Sequence, residues 1–161
     1  MNFSNHYTRP DSALQSFQDA DTEELVELIN KAYAYQDVHK KSPRTNPQHL
    51  RKLAIENELY VLRGNGQTIG CIYIKLEDDS LHFGLLAVDE QYRKQGFAQA
   101  MIAAVESYAR ASNLKSIKLD YMSVASELKG YYERHGFHVT GEVNNWGTID
   151  LIKMEKDISS N

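Results

Sequence analysis

A chain of 161 residues with 42% hydrophobic and 25% charged side chains has the size and balance of one globular domain, able to bury a core without metals or disulfides. It has no apolar run near the ~20 residues that span a bilayer, and its formal charge of -4 argues against a nucleic-acid surface, which needs a basic face to neutralise phosphates. Neither a membrane nor a nucleic-acid partner is expected, while a mild acidic excess suits a cationic partner such as an amine.

Residues 1–11 are polar and lack the basic-then-apolar order of a secretory signal, so a flexible tail and a cytoplasmic setting are expected. A short strand around residues 14–17 follows. Asp21-Thr22-Glu23-Glu24 then has the order of a capping box, with Leu25, Leu28, Ile29 and Ala32 behind it at helical spacing. A polar, aromatic linker over residues 33–44 leads to a second helix near Asn46-Pro47, where proline at the first helical position costs no hydrogen bond.

From Leu59 the apolar period changes to that of strands, and residues 59–63, 68–76 and 81–88 read as three antiparallel strands joined by Asn65-Gly66 and Asp78-Asp79. Asn-Gly favours the tight primed turn because both residues accept positive φ. The glycines at 64, 66 and 70 look like a dinucleotide loop, but a strand follows them where a helix start is needed to receive phosphate, so they are read as a hairpin. Cys71, inside the second of these strands, cannot form an internal disulfide and reads as a small buried hydrophobe.

Phe97, Met101, Ala104, Val105 and Tyr108 share one face of a helix over residues 96–111, with Asn113 as its terminator. A strand over 116–122, a helix over 126–135 stopped by Gly136, and two strands within 137–157 complete the chain. Strand, helix and strand in that order give a parallel crossover inside an otherwise antiparallel sheet, and hence a mixed α/β layer.

Residues 85–98 run from a buried strand through a polar loop into a helix N-terminus. The first amides of that helix lack internal partners and carry the positive end of the macrodipole. Gly96 permits close approach of a ligand, and Arg93 and Lys94 add positive charge. These residues alone fit either an anion site or a solvated loop that caps a helix.

Two motifs in order resolve the choice. Arg93-Lys94-Gln95-Gly96-Phe97-Ala98 behind Leu86-Ala87-Val88, and later Tyr132-Glu133-Arg134-His135-Gly136-Phe137, resemble the central and late motifs of the GNAT family of N-acetyltransferases. The resemblance covers residues 25–155. It implies the GNAT fold with helices on both faces of the sheet, and acetyl-CoA as cosubstrate in a cleft between the strands at 81–88 and 116–122. The amides of Arg93, Lys94, Gln95, Gly96, Phe97 and Ala98 would hold the pyrophosphate, and the pantetheine arm would pair with the strand edge at Leu86, Ala87 and Val88. Many members carry asparagine where this chain has Ala125, so a contact from that side chain is absent or is made by Ser123 or Ser126.

The resemblance also makes Tyr132 the proton donor to the departing thiolate, which suits a phenol of reference pKa about 10. Its helical face, shared with Leu128 and His135, admits ordinary core packing as well, and Tyr131 is the reserve donor. His82 stands where many members have a glutamate base, and an imidazole of reference pKa about 6.5 could take a proton at neutral pH. Alternation places His82 on one face with Gly84, Leu86 and Val88, where a strand histidine without catalytic duty fits equally.

Other clusters carry less. His135 and His138 bracket Gly136-Phe137, which ends the helix, so no metal is expected there. Glu77, Asp78 and Asp79 read as a solvated turn that could attract a cation. Tyr33, Tyr35, Arg44 and Trp146 read as packing or surface near where the family walls its acceptor pocket. The function implied is direct acetyl transfer to a primary amine of a small molecule or protein. A catalytically idle acyl-CoA sensor is the alternative, and the late strands, which often pair across a dimer in such folds, leave a homodimer open.

Overall fold

The computed structural model describes residues 2–38, 43–146 and 149–159. In chain order its elements are β1 (Ala13–Ser16), α1 (Thr22–Ala32), α2 (Pro47–Glu56), β2 (Glu58–Gly64), β3 (Gln67–Glu77), β4 (Ser80–Val88), α3 (Phe97–Ala111), β5 (Ser116–Met122), α4 (Glu127–Arg134), β6 (His138–Trp146) and β7 (Ile149–Asp157). Asn65 and Gly66 both take positive φ, 52° and 74°, and so close the β2–β3 hairpin as the sequence predicts. Asn46 caps α2 by accepting the His49 amide at 2.8 Å, with Pro47 in the first turn.

The capping box lies three residues earlier than the sequence pattern indicates. Asp21 precedes α1 in helical conformation without capping it. Its carboxylate instead accepts the Gln18 amide at 2.8 Å and pairs with Arg63 of β2, closing a short 3-10 turn over Asp19–Asp21. The ion pair to Arg63 is a tertiary contact that local pattern cannot anticipate.

The seven strands form one sheet in the order β1-β2-β3-β4-β5-β7-β6. All neighbours are antiparallel except β4 and β5, which α3 connects as a parallel crossover. Both faces are covered. Leu25, Leu28 and Ile29 of α1 and Leu50 of α2 pack on one side with Leu59, Val61 and Cys71. Met101, Val105 and Tyr108 of α3 and Tyr132 of α4 pack on the other with Ile72, Phe83 and Ile117. Double coverage explains why β2 is buried at four successive residues rather than alternating.

Two irregularities in β4 shape the site. First, its parallel pairing with β5 stops at His82↔Lys118, although β4 continues to Val88 and β5 to Met122. Second, Cys71 faces Ala87 while Tyr73 faces Gly84, so two steps on β3 oppose three on β4. Leu85 absorbs the extra residue at φ 46°.

The N-terminal residues are not the tail expected from their polarity. Phe3–His6 form a 3-10 turn, and Phe3 is 0% exposed, stacked between Tyr60 and Tyr108 at centroid distances of 5.0 and 5.7 Å. Its immediate neighbours Asn2 and Ser4 are polar, so one aromatic anchor does not register in an average over the segment. Phe3→Ala should lower stability by about 3–5 kcal/mol, the usual cost of emptying a buried phenylalanine site, and urea unfolding followed by circular dichroism measures it.

Candidate functional site

The N-terminus of α3 begins at Gly96, which caps it in the left-handed region at φ 85°, two residues after Lys94 at φ 61°. The first intrahelical bond ends on the Gly96 carbonyl, from the Ala100 amide at 3.0 Å, so the amides of Phe97, Ala98 and Gln99 have no partner within the helix. A Cβ built on Gly96 would meet only Arg9 Nη1, at 3.4 Å, leaving open space before the helix end. Arg93 and Lys94 stand beside it.

From this point a cleft of about 590 Å³ runs along Leu86, Ala87 and Val88 to Leu128, Tyr131 and Tyr132. Among the loop residues singled out in the sequence, Arg93, Lys94, Gly96, Phe97 and Ala98 line it. Gln95 does not. Its carbonyl faces Arg9 and its side chain donates to the Gln91 carbonyl at 3.2 Å. The strand edge beyond the last parallel pair is partly committed already. Tyr33 Oη donates to the Leu86 carbonyl at 2.8 Å, and Arg93 Nε donates weakly to the Val88 carbonyl at 3.4 Å.

A second cavity of about 260 Å³ lies across the splayed strands, walled by Tyr73, His82, Gly84, Asp120 and Met122. The two cavities meet at four residues, Tyr33, Gln36, Leu128 and Tyr132, which line both. Tyr131 lines only the first, where its ring stacks on His135 at 4.9 Å. Tyr132 sits among Phe83, Phe137 and Tyr131, and burial first, then the neighbouring Tyr131 and Tyr35, raises its pKa above that of a free phenol. Its hydroxyl has no hydrogen-bond partner among the described residues.

His82 lies in the second cavity, with Nε2 3.3 Å from Asp120 Oδ2 and Nδ1 3.8 Å from Glu77 Oε1. It does not share a face with Leu86 and Val88, as plain alternation predicts. Gly84 and Leu85 fall consecutively on the α1/α2 side because of the bulge. Leu86 and Val88 therefore pack on the α3 side, opposite His82. Gly84 is also where Tyr73 rests, since a Cβ there would come within 2.5 Å of the ring.

Several contributors had no sequence signal that isolated them. Asp120 belongs to β5 and reaches His82 only through the parallel pairing. Arg44 and Asp37 form a buried ion pair, Nη2 to Oδ1 at 2.7 Å, with the guanidinium 4.2 Å from the centre of the Tyr33 ring and also on Met122 Sδ. The linker thus supplies the floor of the junction rather than an exposed surface, although Tyr35 is half exposed. Ser123 Oγ accepts the Asp150 amide at 3.1 Å and so is engaged in the sheet, which leaves Ser126 as the hydroxyl near the buried Ala125. The Trp146 side chain lies outside the described residues. His135 ends α4 and His138 opens β6, and no group of three or more His, Cys, Asp or Glu placed to hold a metal occurs among the described residues. Cys71 lies under the bulge with its sulfur 3.3 Å from the Leu85 carbonyl, and burial pushes its thiol up to about 12.

This architecture, a mixed sheet opened beside a helix N-terminus, is the fold of GNAT acetyltransferases. Over residues 29–158 the chain matches the family model for the acetyltransferase (GNAT) domain, and it belongs to that family. Human N-acetyltransferase 8B is 30% identical over 78 residues, which are 47% of this chain and 34% of the human protein, so the match spans about a third of that relative. A GNAT acetyltransferase from Elizabethkingia anophelis, solved with acetyl-CoA bound, superposes with a TM-score of 0.71 at 18% identity, covering 93% of this chain and 100% of that one. A spermidine N-acetyltransferase chimera from Vibrio cholerae and hSSAT gives 0.73 at 20% identity, covering 93% and 97%. At these identities the two structures share the fold with this chain.

Burial alone would raise the Asp120 carboxyl, but hydrogen bonding and charge from His82, with Lys153 3.6 Å away, outweigh it and hold the group below its ordinary value of 3.8. A depressed folded pKa means that ionised Asp120 contributes stability above 3.8, which is lost as the pH falls through the lower folded value. Asp120→Asn should therefore be less stable than wild type at neutral pH, and the two should converge below about pH 4. Urea titrations across that range give the comparison.

Proposed function

We propose that the protein is an acetyl-CoA-dependent N-acetyltransferase that modifies a primary amine by direct transfer. The observation that carries this reading is the meeting of the two cavities at Tyr132: one cavity begins at the α3 N-terminus and the other holds His82 and Asp120. The fit to acetyl-CoA rests on the open Gly96 position, the unpartnered amides of residues 97–99, and a cleft within the ~300–1,000 Å³ of small-molecule sites. Bound there, acetyl-CoA supplies an acetyl group on a thiol leaving group.

The chain's own residues then divide the work. The loop amides, with Arg93 and Lys94, hold the diphosphate. Gly96 keeps that approach clear, and Leu86, Ala87 and Val88 flank the pantetheine arm. Asp120 draws a cationic acceptor into the second cavity. With Nε2–H of His82 on Asp120, Nδ1 is left to accept the amine's proton as the nitrogen–carbon bond forms. The carbon–sulfur bond breaks, and Tyr132 Oη gives its proton to the sulfur. A phenol held protonated by burial suits that task, and its place in both cavities favours it over Tyr131. A reaction of this kind fits the cytoplasmic setting expected from the sequence.

The test is release of free thiol from acetyl-CoA in the presence of an amine panel, together with the rise in melting temperature that CoA must cause if it binds only the native state. Stabilisation by CoA without thiol release would move the reading to an idle acyl-CoA sensor. Tyr132→Phe keeps the ring and its aromatic neighbours, so CoA affinity should barely change while kcat and kcat/KM fall together by at least about tenfold. Wild-type turnover by a stable Tyr132→Phe protein would pass the role to Tyr131. His82→Gln should lower the rate and flatten the pH profile without altering CoA affinity; an unchanged profile reduces His82 to a strand residue.

A further inference from the structure

Arg9 lies outside the residues that match the family, on the N-terminal segment that the sequence presented as a tail. Its guanidinium makes three kinds of contact at once. Nη1 donates to the Gln95 carbonyl at 2.6 Å, Cζ lies 3.8 Å from the centre of the Phe97 ring, and Nε and Nη2 pair with both Asp11 oxygens at 3.0 and 2.7 Å. The segment itself is tied down by Phe3 in the core, by Tyr7 Oη with Ser12 Oγ at 2.8 Å, and by His6 Nδ1 with Ser107 Oγ of α3 at 2.8 Å. Arg9 therefore reaches the phosphate loop from a fixed base.

The peptide it grips is the one that matters. In a trans peptide the carbonyl and the following N–H point in opposite directions, so a Gln95 carbonyl drawn to Arg9 turns the Gly96 amide away from Arg9. Gln95 stays out of the cleft, whereas its neighbours Lys94 and Gly96 line it, both at positive φ. A carbonyl rotated into that cleft would repel an anion. Positive φ at a lysine is a strained conformation that persists only where surroundings over-determine it, and the Arg9 bond is one such restraint.

We propose that Arg9 is a positioning residue for the diphosphate site. It pins the Gln95–Gly96 peptide so that the loop presents amides, and no carbonyl, to the ligand, with Asp11 holding the guanidinium over Phe97. This rests on the acetyl-CoA reading above. Arg9 acts through the loop and not as a wall of the cleft, and the whole N-terminal segment becomes part of the cofactor site.

The test uses the full chain, with CoA as the probe in calorimetry and hydrogen exchange measured on the ligand-free proteins. Arg9→Met should weaken CoA binding by about tenfold or more, the lower end of what one charge-assisted hydrogen bond supplies. It should speed exchange of the Ala100 amide, which is bonded to the Gly96 carbonyl at 3.0 Å, while residues 3–7 stay protected. Arg9→Lys keeps the charge but cannot pair with both Asp11 oxygens, lie on Phe97 and reach Gln95 together, so it should recover only part of the affinity. Asp11→Asn should weaken CoA in the same direction and add nothing to Arg9→Met. Unchanged CoA affinity in a folded Arg9→Met protein overturns the proposal. Full recovery by Arg9→Lys overturns it too, since charge alone would then suffice, as does faster exchange spread through residues 3–7, which would reduce Arg9 to a structural anchor. Failure of the wild-type protein to bind CoA would overturn the cofactor reading itself, while exchange at the Ala100 amide would still decide whether Arg9 orders the start of α3.

Discussion

The site depends on a sheet that is left incomplete. After His82↔Lys118 the strands β4 and β5 separate, and backbone groups that would have paired across them face open space. The chain compensates only in part, with Tyr33 on the Leu86 carbonyl and a long bond from Arg93 to the Val88 carbonyl. Both partners come from elements at the mouth of the split, the end of α1 and the loop before α3. The split also requires support from below. The buried Arg44–Asp37 pair lies against Tyr33, so charge removed from water is balanced within one contact and the tyrosine is held at its carbonyl. The bulge at Leu85 then sorts the side chains. It puts His82 and Gly84 on one side of the sheet and Leu86 and Val88 on the other, and so separates the face that can meet an acceptor from the face that packs on α3.

Charge follows the same division. At one end the α3 amides, Arg93 and Lys94 make a positive pole, the proposed seat of the diphosphate. At the other, Asp120 and Glu77 flank His82. Arg44, though it lines the second cavity, is matched by Asp37, while Lys153 and Lys75, 3.6 and 3.5 Å from Asp120 and Glu77, offset part of the acidic field. A net charge of -4 spread over the chain thus gives no hint of a local positive site, because a helix terminus supplies field without any ionised side chain.

What the sequence made legible was whatever is decided within a few residues. Asn65-Gly66, Asn46-Pro47 and the apolar face from Phe97 to Tyr108 each carry their own structural reason, and the structure has a turn, a capped helix and a buried helix face at those places. The two motifs located the loop and Tyr132 for the same reason. The face of His82 was misread because a bulge adds one residue without a compositional marker: Leu85 takes positive φ, where a glycine would have signalled it, and the visible glycine at 84 serves instead to seat Tyr73. Asp120 and Arg9 were obscure because each acts across the fold, at a position where the local pattern is that of any exposed charge, and Arg44 was visible only as packing or surface, without its partner Asp37. Phe3 shows the limit of averaging, since one buried ring outweighs the polar residues around it.

Burial at the junction bears on both halves of the proposed reaction. Desolvation disfavours the charged form of any group, so it keeps the Tyr132 phenol protonated and, by the same physics, favours the neutral form of an amine that reaches it. Asp120 works in the opposite sense. Held ionised by His82 and Lys153, it would favour an ammonium in the second cavity. In the proposed reaction an acceptor passes from surroundings at Asp120 that stabilise its charge to surroundings at Tyr132 that do not, with His82, 3.3 Å from Asp120, to take the proton.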